Sequence, residues 1–163
     1  MARRALLKLE TLNDRVAPSA GALDLTFGAD GKLTTAFGSG NDYANSVVVQ
    51  PDGKIVVAGY TDNGSSLDFS LARFNIDGTF DSSFDGDGKL TTSFGPSTDI
   101  ANSVALQSNG KIVIAGFSDT GGNYDFALAR YNVDGSLDSS FDGDGKVTMP
   151  VGSAHDIAYS VTV

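Results

Sequence analysis

GKIVVAGY, at residues 53–60, returns 57 positions later as GKIVIAGF, at residues 110–117. Both runs are apolar and rich in β-branched residues, which favours strands, and they do not alternate with polar residues, which indicates strands covered on both faces. LARFNIDG at 71–78 returns as LARYNVDG at 128–135 with the same offset. A fixed period of short strands predicts a repeat architecture.

The repeat covers nearly all of the chain after its first 22 residues. We divide the sequence into an N-terminal segment, two full repeats and a partial third repeat, at residues 1–22, 23–79, 80–136 and 137–163. The full repeats agree at about 32 of 57 positions without a gap. The third is expected to end inside a strand, SVTV at 160–163, so we expect a piece of a longer protein.

Four strands fit each repeat. The first set of four is predicted at residues 44–50, 54–60, 68–75 and 89–94, of which the last lies in the second repeat, and the strands are joined by Gly-containing turns. KLTTAF at 32–37 is predicted to be an outer strand that completes another blade. Four-stranded units of fixed period are typical of an all-β propeller, which needs about 4 to 8 blades. We therefore expect an incomplete β-propeller, with a β-solenoid or a β-trefoil-like fold as alternatives.

Charge is distributed unevenly along the 163 residues, whose net charge is −9. From residue 23 onward, seven Lys and Arg face eighteen acidic residues, all of them aspartate. Aspartate favours turns over helices, and the negative excess opposes contact with a phosphate backbone, so nucleic acid is excluded as a partner. No apolar run approaches the roughly 20 residues of a membrane span. The absence of cysteine excludes disulfides and thiolate metal sites.

The segments LDLTFGADGKLTTAFG, YANSVVVQPDGKIVVAGYTDNG and DFSLARFNIDG resemble the bacterial delta-60 repeat family, and the similarity covers residues 23–163. The resemblance implies a propeller within a large bacterial protein that is exported, and it implies no reaction, no cofactor and no catalytic residue.

LETLNDRVAPS at 9–19 resembles the LExLExRxxPS pattern found near the N-terminus of planctomycete surface and exported proteins. This resemblance implies that residues 1–22 are a targeting-like segment, expected to be poorly ordered. The expected location is extracellular or at the cell surface.

The joins between repeats are rich in aspartate: FNIDGTFDSSFDGDGK at 74–89 and YNVDGSLDSSFDGDGK at 131–146. An EF-type calcium loop does not fit. When Gly78 is aligned with the glycine at position 6 of such a loop, Arg73 occupies the first ligand position and Phe84 the twelfth. We interpret the joins as ordinary turns. The alternative is a calcium site of another kind, with three aspartates in each copy: Asp81, Asp85 and Asp87, and Asp138, Asp142 and Asp144.

Two further residue types, histidine and the recurring arginines, are candidates for chemistry. His155 is the only histidine, and its repeat equivalents are Asn41 and Thr98, so we interpret it as a solvated loop residue and assign no catalytic residue. Arg73 and Arg130 recur inside apolar strands. We expect each to pair with an aspartate of a neighbouring strand or turn; the alternative is a rim of arginines that binds an anion.

Aromatic residues that recur at the repeat spacing are expected to pack between blades. They are Phe27, Phe84 and Phe141, and the pairs Tyr60 and Phe117, Phe69 and Phe126, Phe74 and Tyr131. The loops at 63–67 and 120–124 differ between the repeats, and such loops are where ligands are usually bound.

These observations favour a non-catalytic propeller segment that serves as a scaffold or interaction surface for an unknown protein or glycan ligand. One alternative is a module of an enzyme whose catalytic part lies downstream, and another is a calcium-stabilised adhesive module. A propeller fold does not by itself define a function.

Overall fold

The computed structural model describes residues 21–163, and the regular secondary structure in this range is entirely β. The eight strands are β1 (Asp42–Val49), β2 (Ile55–Asp62), β3 (Leu67–Phe74), β4 (Lys89–Thr92), β5 (Asp99–Leu106), β6 (Ile112–Asp119), β7 (Tyr124–Tyr131) and β8 (Lys146–Met149). They form two antiparallel four-stranded sheets in chain order, β1–β4 and β5–β8.

Each sheet is one blade, and we call β1–β4 the first blade and β5–β8 the second blade. The prediction of four strands per repeat in an all-β, propeller-type fold is confirmed, and the two sheets do not close into a ring. No helix that could cross a membrane occurs within residues 21–163. Most of the segment predicted to direct export, residues 1–20, lies outside the described residues.

The blades pack face to face, as the doubly covered strands predicted. Successive residues of a strand lie on opposite faces, so Val56, Ala58 and Leu71 share the face of the first blade that meets the second. The second blade contributes a fully buried apolar set: Ile112, Ile114, Ala127, Ala129 and Tyr131. The core of the molecule therefore lies between the two sheets.

The aromatic prediction is confirmed for three of the residues that lie between the blades. Phe69, Phe84 and Tyr131 are buried in the inter-blade core, and the Tyr131 hydroxyl donates to Thr92 Oγ1 at 2.7 Å across it. Phe126, the repeat equivalent of Phe69, is only half-buried. Its face of the second blade has no further sheet against it among the described residues.

A β-bulge in each inner strand joins one blade to the next. The pairing of β1 with β2 shifts register between Ala44 and Ser46, which leaves Asn45 as the extra residue. A bulge bends its strand and redirects a side chain, and here Asn45 Nδ2 donates to the Ala101 carbonyl at 2.8 Å. Asn102 makes the equivalent bond to residue 158 at 2.9 Å.

The same bulges explain a glycine in the middle of each apolar run. Gly59 lies opposite the first bulge, and a Cβ there would overlap the carbonyl oxygen of Tyr43. Gly116 lies in the same relation to the carbonyl oxygen of Ile100. Glycine is required at both positions because the bulge brings the backbone of the inner strand into the space of a side chain.

Two predicted strands are wrong. Residues 32–37 and 160–163 lie outside every strand pairing, because within the described part of the chain neither has a strand beside it. Both nevertheless pack against a blade: Lys89 Nζ donates to the carbonyl of residue 36 at 3.1 Å, and the N–H of residue 161 donates to Ser103 Oγ at 3.2 Å.

Equivalent contacts join the two blades to each other. Lys146 Nζ donates to the Ser93 carbonyl at 3.0 Å, and the Val104 N–H donates to Ser46 Oγ at 3.2 Å. Residues 32–37 thus have the position of an outer strand preceding the first blade, and residues 157–163 that of an inner strand following the second.

Candidate interaction surface

The recurring arginines lie at the edge of the blades where the Asp-rich joins run. Arg73 Nε donates to Asp81 Oδ2 at 2.7 Å and its Nη2 donates to Ser83 Oγ at 3.1 Å. Lys54 Nζ lies 2.9 Å from the same Oδ2. The expected pairing of this arginine with an aspartate of a neighbouring turn is confirmed.

Arg73 also contacts the second blade. Its guanidinium lies 4.6 Å above the centre of the Phe84 ring, and Nη1 donates to the Val133 carbonyl at 2.5 Å. Its side chain is 3% exposed. The arginine is therefore a link between blades, and its charged group is not available to bind an anion.

The second blade repeats this cluster. Arg130 Nε lies 2.6 Å from Asp138 Oδ2, Lys111 Nζ lies 2.7 Å from it, and the guanidinium is 4.7 Å from the centre of the Phe141 ring. Arg130 is more open, with 21% of its side chain exposed.

The two carboxylates remain ionised in these clusters. Burial acts to raise the pKa of Asp81, but the hydrogen bonds from Lys54 and Ser83 and the charge of Arg73 outweigh it and hold that pKa well below its usual range. Hydrogen bonds from Lys111 and other neighbours lower the pKa of Asp138 in the same way.

The first set of predicted calcium ligands lies in three different environments. The Asp81 carboxylate is engaged by Arg73 and Lys54. Asp87 Oδ1 accepts the Lys89 N–H at 2.8 Å, as an aspartate in a turn commonly does. Asp85 is exposed, and its backbone has a φ of 51°.

The second set repeats those environments at Asp138, Asp142 and Asp144. Within residues 21–163, no three His, Asp or Glu side chains are grouped so that they could hold a metal ion. What the joins do make is a contact between repeats: the Asp85 N–H donates to the Asp134 carbonyl at 2.8 Å.

A second recurring aspartate was missed by the sequence reasoning, although its 57-residue spacing at 42, 99 and 156 is visible. Asp99 begins β5, is fully buried, and accepts the Phe94 N–H on Oδ2 at 2.7 Å. Burial raises its pKa. Asp99 Oδ1 and Ser118 Oγ, on paired residues, have no hydrogen-bond partner of normal geometry among the described residues.

The divergent loops lie at the same edge as Asp99, at the opposite ends of the strands from the Arg73 and Arg130 clusters. In the first blade, Asn63 Nδ2 donates to Asp68 Oδ2 at 2.6 Å, and Asn63 Oδ1 accepts the Ser65 and Ser66 N–H groups. The loop is thus held by its own side chains while residues 63–65 remain exposed.

The loop of the second blade is closed by the equivalent aspartates, since in the first loop Asp62 Oδ1 accepts the Gly64 N–H at 2.8 Å. Asp119 Oδ1 accepts the Gly121 and Gly122 N–H groups, and the Thr120 hydroxyl donates to the buried Asp125. Residues 120–123 are exposed. Each blade therefore presents a structured loop of its own chemistry at this edge.

His155 lies beside the second of these loops. It is exposed, as expected of a loop histidine, but it is not isolated: its Nδ1 accepts the Tyr124 N–H at 2.9 Å, and its ring stacks on the Tyr124 ring with centroids 4.5 Å apart. Tyr124 also packs on Phe117, at 4.6 Å. The stack joins residues 150–156 to the loop at 120–124.

Comparison with known families returns a repeat match. Residues 50–84 and 107–141 each match a family described as "Domain of unknown function (DUF5122) beta-propeller". The two matches are 57 residues apart and cover equivalent parts of the blades, from the turn before β2 or β6 to the aromatic residue of the arginine cluster. No curated protein matches the chain. The match supports membership of a β-propeller repeat family, in agreement with the two blades.

Proposed function

We propose that the chain is a non-catalytic propeller segment of a larger exported or cell-surface bacterial protein, and that the edge carrying loops 63–67 and 120–124 binds a protein or glycan ligand. The propeller repeat match supports the scaffold. Export is supported only by the resemblances of the repeats to the delta-60 family and of residues 9–19 to the planctomycete pattern.

The observation that carries the proposal is where the two blades differ. Strands β2 and β6 differ at three of eight positions, all of them conservative: IVVAGYTD and IVIAGFSD. The loops NGSSL and TGGNY differ at four of five positions. A rigid scaffold with divergent, exposed loops is the usual arrangement of a binding surface.

The recurring charged groups of the opposite edge support a structural role. Arg73 and Arg130, with their partner aspartates, are engaged within and between blades. A catalytic pair would need a group free to exchange a proton with a substrate. A scaffold needs these charges to be satisfied internally, and this is what the ion pairs accomplish.

The loop edge of the second blade has the chemistry for polar ligands. It combines the exposed ring of His155 and the ring of Tyr124 with the side-chain amide of Asn123, which donates to the Ser153 carbonyl at 3.4 Å. Aromatic faces beside amide groups suit sugar rings and peptides, which need both apolar contact and hydrogen bonds.

An exchange of loops tests the proposal. Residues 120–124 are replaced by NGSSL, and the wild-type protein and the variant are applied to an array of bacterial polysaccharides and surface peptides. We expect the wild type to bind a subset of the array and the variant to lose that subset. A matched control, Val133→Thr, alters an exposed residue at the opposite edge and should bind as the wild type does.

Two results would contradict the proposal. Binding that persists unchanged after the loop exchange would place the ligand elsewhere on the molecule. Chemical turnover of an arrayed glycan or peptide by the purified protein would contradict the non-catalytic assignment.

A further inference from the structure

Asn-Gly occurs twice in the sequence, as Asn63-Gly64 and as Asn109-Gly110. In such a pair the backbone nitrogen of the glycine can attack the side-chain amide carbon of the asparagine, because the two atoms close a succinimide ring and glycine has no Cβ to obstruct the approach. The first pair lies in the loop between β2 and β3, and the second in the turn between β5 and β6. The two turns give this reaction different surroundings.

The backbone nitrogen of Gly64 lies against a carboxylate. The Gly64 N–H donates to Asp62 Oδ1 at 2.8 Å, which is within the range for proton transfer to a general base. Gly64 is exposed, with a φ of 90°, and a Cβ there would meet no atom within 4 Å apart from its chain neighbours. The attacking nitrogen therefore has a base in contact with its proton and open space for water around it.

The side-chain amide of Asn63 is polarised at its oxygen. Asn63 Oδ1 accepts two backbone N–H groups, from Ser65 at 2.9 Å and from Ser66 at 3.0 Å. Attack on Cγ moves negative charge onto this oxygen, and backbone donors held at such distances stabilise that charge, as the oxyanion holes of acyl-transfer enzymes do. The loop thus holds donors for the charge that develops as the ring closes.

The pair at Asn109 has no carboxylate at its glycine and one donor fewer at its amide. The Gly110 N–H donates to the Gln107 carbonyl at 2.9 Å, and a neutral carbonyl is a far weaker base than a carboxylate. Asn109 Oδ1 accepts one backbone N–H, from Lys111 at 3.1 Å. The same dipeptide therefore lies in a turn that does not assist the reaction.

We propose that Asn63 is a self-modification site, at which the loop converts the asparagine to aspartate and isoaspartate through a succinimide. Gly64 N bonds to Asn63 Cγ as its proton passes to the Asp62 carboxylate. The Cγ–Nδ2 bond then breaks, and Nδ2 leaves as ammonia with that proton, delivered through solvent. Water next hydrolyses either carbonyl bond of the ring. The reaction needs only the chain and water, and it does not depend on the proposed ligand.

The product changes the charge of the loop beside a buried carboxylate. Asn63 Nδ2 donates to Asp68 Oδ2 at 2.6 Å, and Asp68 is 8% exposed. Deamidation replaces this donor by a second carboxylate, which Asp68 repels. The first loop should therefore open, and the loss of ammonia makes the change irreversible. The second blade has Thr120 and Gly121 at the equivalent positions and carries no such site there.

Deamidation of the full 163-residue protein near neutral pH tests the proposal. Samples are digested after increasing times, and mass spectrometry follows the loss of the amide at each asparagine. We expect Asn63 to deamidate at least about tenfold faster than Asn109 in the folded protein, because only Asn63 has the base. In denaturing urea both pairs lose their folded surroundings, and the two rates should become similar.

The variant Asp62→Asn isolates the base. Its amide oxygen can still accept the Gly64 N–H, which preserves the loop, but it does not take the proton. Deamidation of Asn63 should slow about tenfold or more in the folded variant and should not change in urea. Asp119→Asn is the matched control, since Asp119 accepts the Gly121 N–H in the second loop, and it should leave the Asn63 rate unchanged.

Four results would overturn the proposal. They are a rate at Asn63 no greater than that at Asn109 in the folded protein, an unchanged rate in Asp62→Asn, an equal loss of rate in Asp119→Asn, and a difference between the two asparagines that persists in urea. The products add a check on the ring. Isoaspartate at residue 63 supports the succinimide, whereas aspartate alone would show direct hydrolysis of the amide and contradict it.

Discussion

The two blades have nearly the same sequence and different surroundings. Arg73 and Arg130 make equivalent ion pairs, at 2.7 and 2.6 Å, yet 3% of the first side chain is exposed and 21% of the second. The difference arises because the Val133 turn of the second blade closes over Arg73. The contribution of a repeated ion pair to stability therefore depends on how far the adjacent blade buries it.

The aspartates that begin β1 and β5 show the same effect at the other edge. Asp42 is half-buried, and its carboxylate accepts the Thr61 hydroxyl at 2.5 Å and the Phe37 N–H at 3.0 Å. Asp99 is fully buried, and Asp68 adds a like charge near it. An aspartate at this position is therefore well accommodated in the first blade, whereas its burial in the second blade opposes folding.

The largest expected effect concerns the glycines opposite the bulges. Gly116→Ala should destabilise the protein by about 3 kcal/mol or more, because the new Cβ overlaps the Ile100 carbonyl and β5 is packed against the first blade. Gly59→Ala should cost less, since among the described residues no further sheet packs on the outer side of β1 and the strand can shift. Denaturant unfolding of both variants measures the difference, and equal losses would show that the neighbouring blade does not hold the bulge.

The arginines give the next effect. Arg73→Gln removes one of the two cationic partners of a buried carboxylate and should cost about 2 kcal/mol of unfolding free energy, whereas Arg130→Gln should cost less because solvent reaches that cluster. The measurement is urea unfolding at neutral pH. Equal losses of unfolding free energy in Arg130→Gln and Arg73→Gln would contradict the role given to burial by the adjacent blade.

Replacement of the buried aspartate, Asp99, should stabilise the protein, whereas the substitutions above should destabilise it. Because the folded-state pKa of Asp99 is raised by burial, its favourable contribution is present below the ordinary carboxyl pKa of about 4 and is lost as pH rises through the folded-state pKa. Asp99→Asn should therefore stabilise the protein by about 1 kcal/mol at neutral pH and by much less near pH 3.

Unfolding measured from pH 3 to pH 8 tests that prediction. Asp42→Asn is the matched control, and it should be neutral or destabilising throughout because Asp42 is half-buried and well hydrogen-bonded. A stabilisation by Asp99→Asn that does not depend on pH would contradict the electrostatic explanation.

These contrasts also show what the sequence could predict. The period of 57, the apolar runs and the Gly turns predicted four strands per blade and the packing of the sheets. Both features depend on local residue patterns, which a sequence shows directly. Residues 32–37 have the same pattern as β4, but a strand needs a partner, and pattern does not tell whether one is present.

The residues missed at the sites depend on their neighbours as well. Asp99 recurs with Asp42, but its full burial depends on the first blade, so spacing alone could not distinguish it from an ordinary turn aspartate. The bulge at Asn45 is one extra residue in a ladder, and no residue pattern marks it. The pairing of Arg73 with a turn aspartate was predictable, because a buried cation requires an acidic partner.

The smallest effect on stability is expected for the divergent loops. Replacing NGSS at 63–66 by TGGN should change the unfolding free energy by less than about 0.5 kcal/mol, because Thr can donate to Asp68 as Thr120 does to Asp125, and the replaced residues are largely exposed. Asp68→Ala, at the start of β3 beside the loop, is the contrast, since it removes the buried acceptor of the Asn63 amide, and it should cost about 1 to 2 kcal/mol. If the loop replacement proves as costly as Asp68→Ala, the exposed loop residues stabilise the blade themselves, and their divergence between blades would reflect packing rather than the binding of different ligand groups.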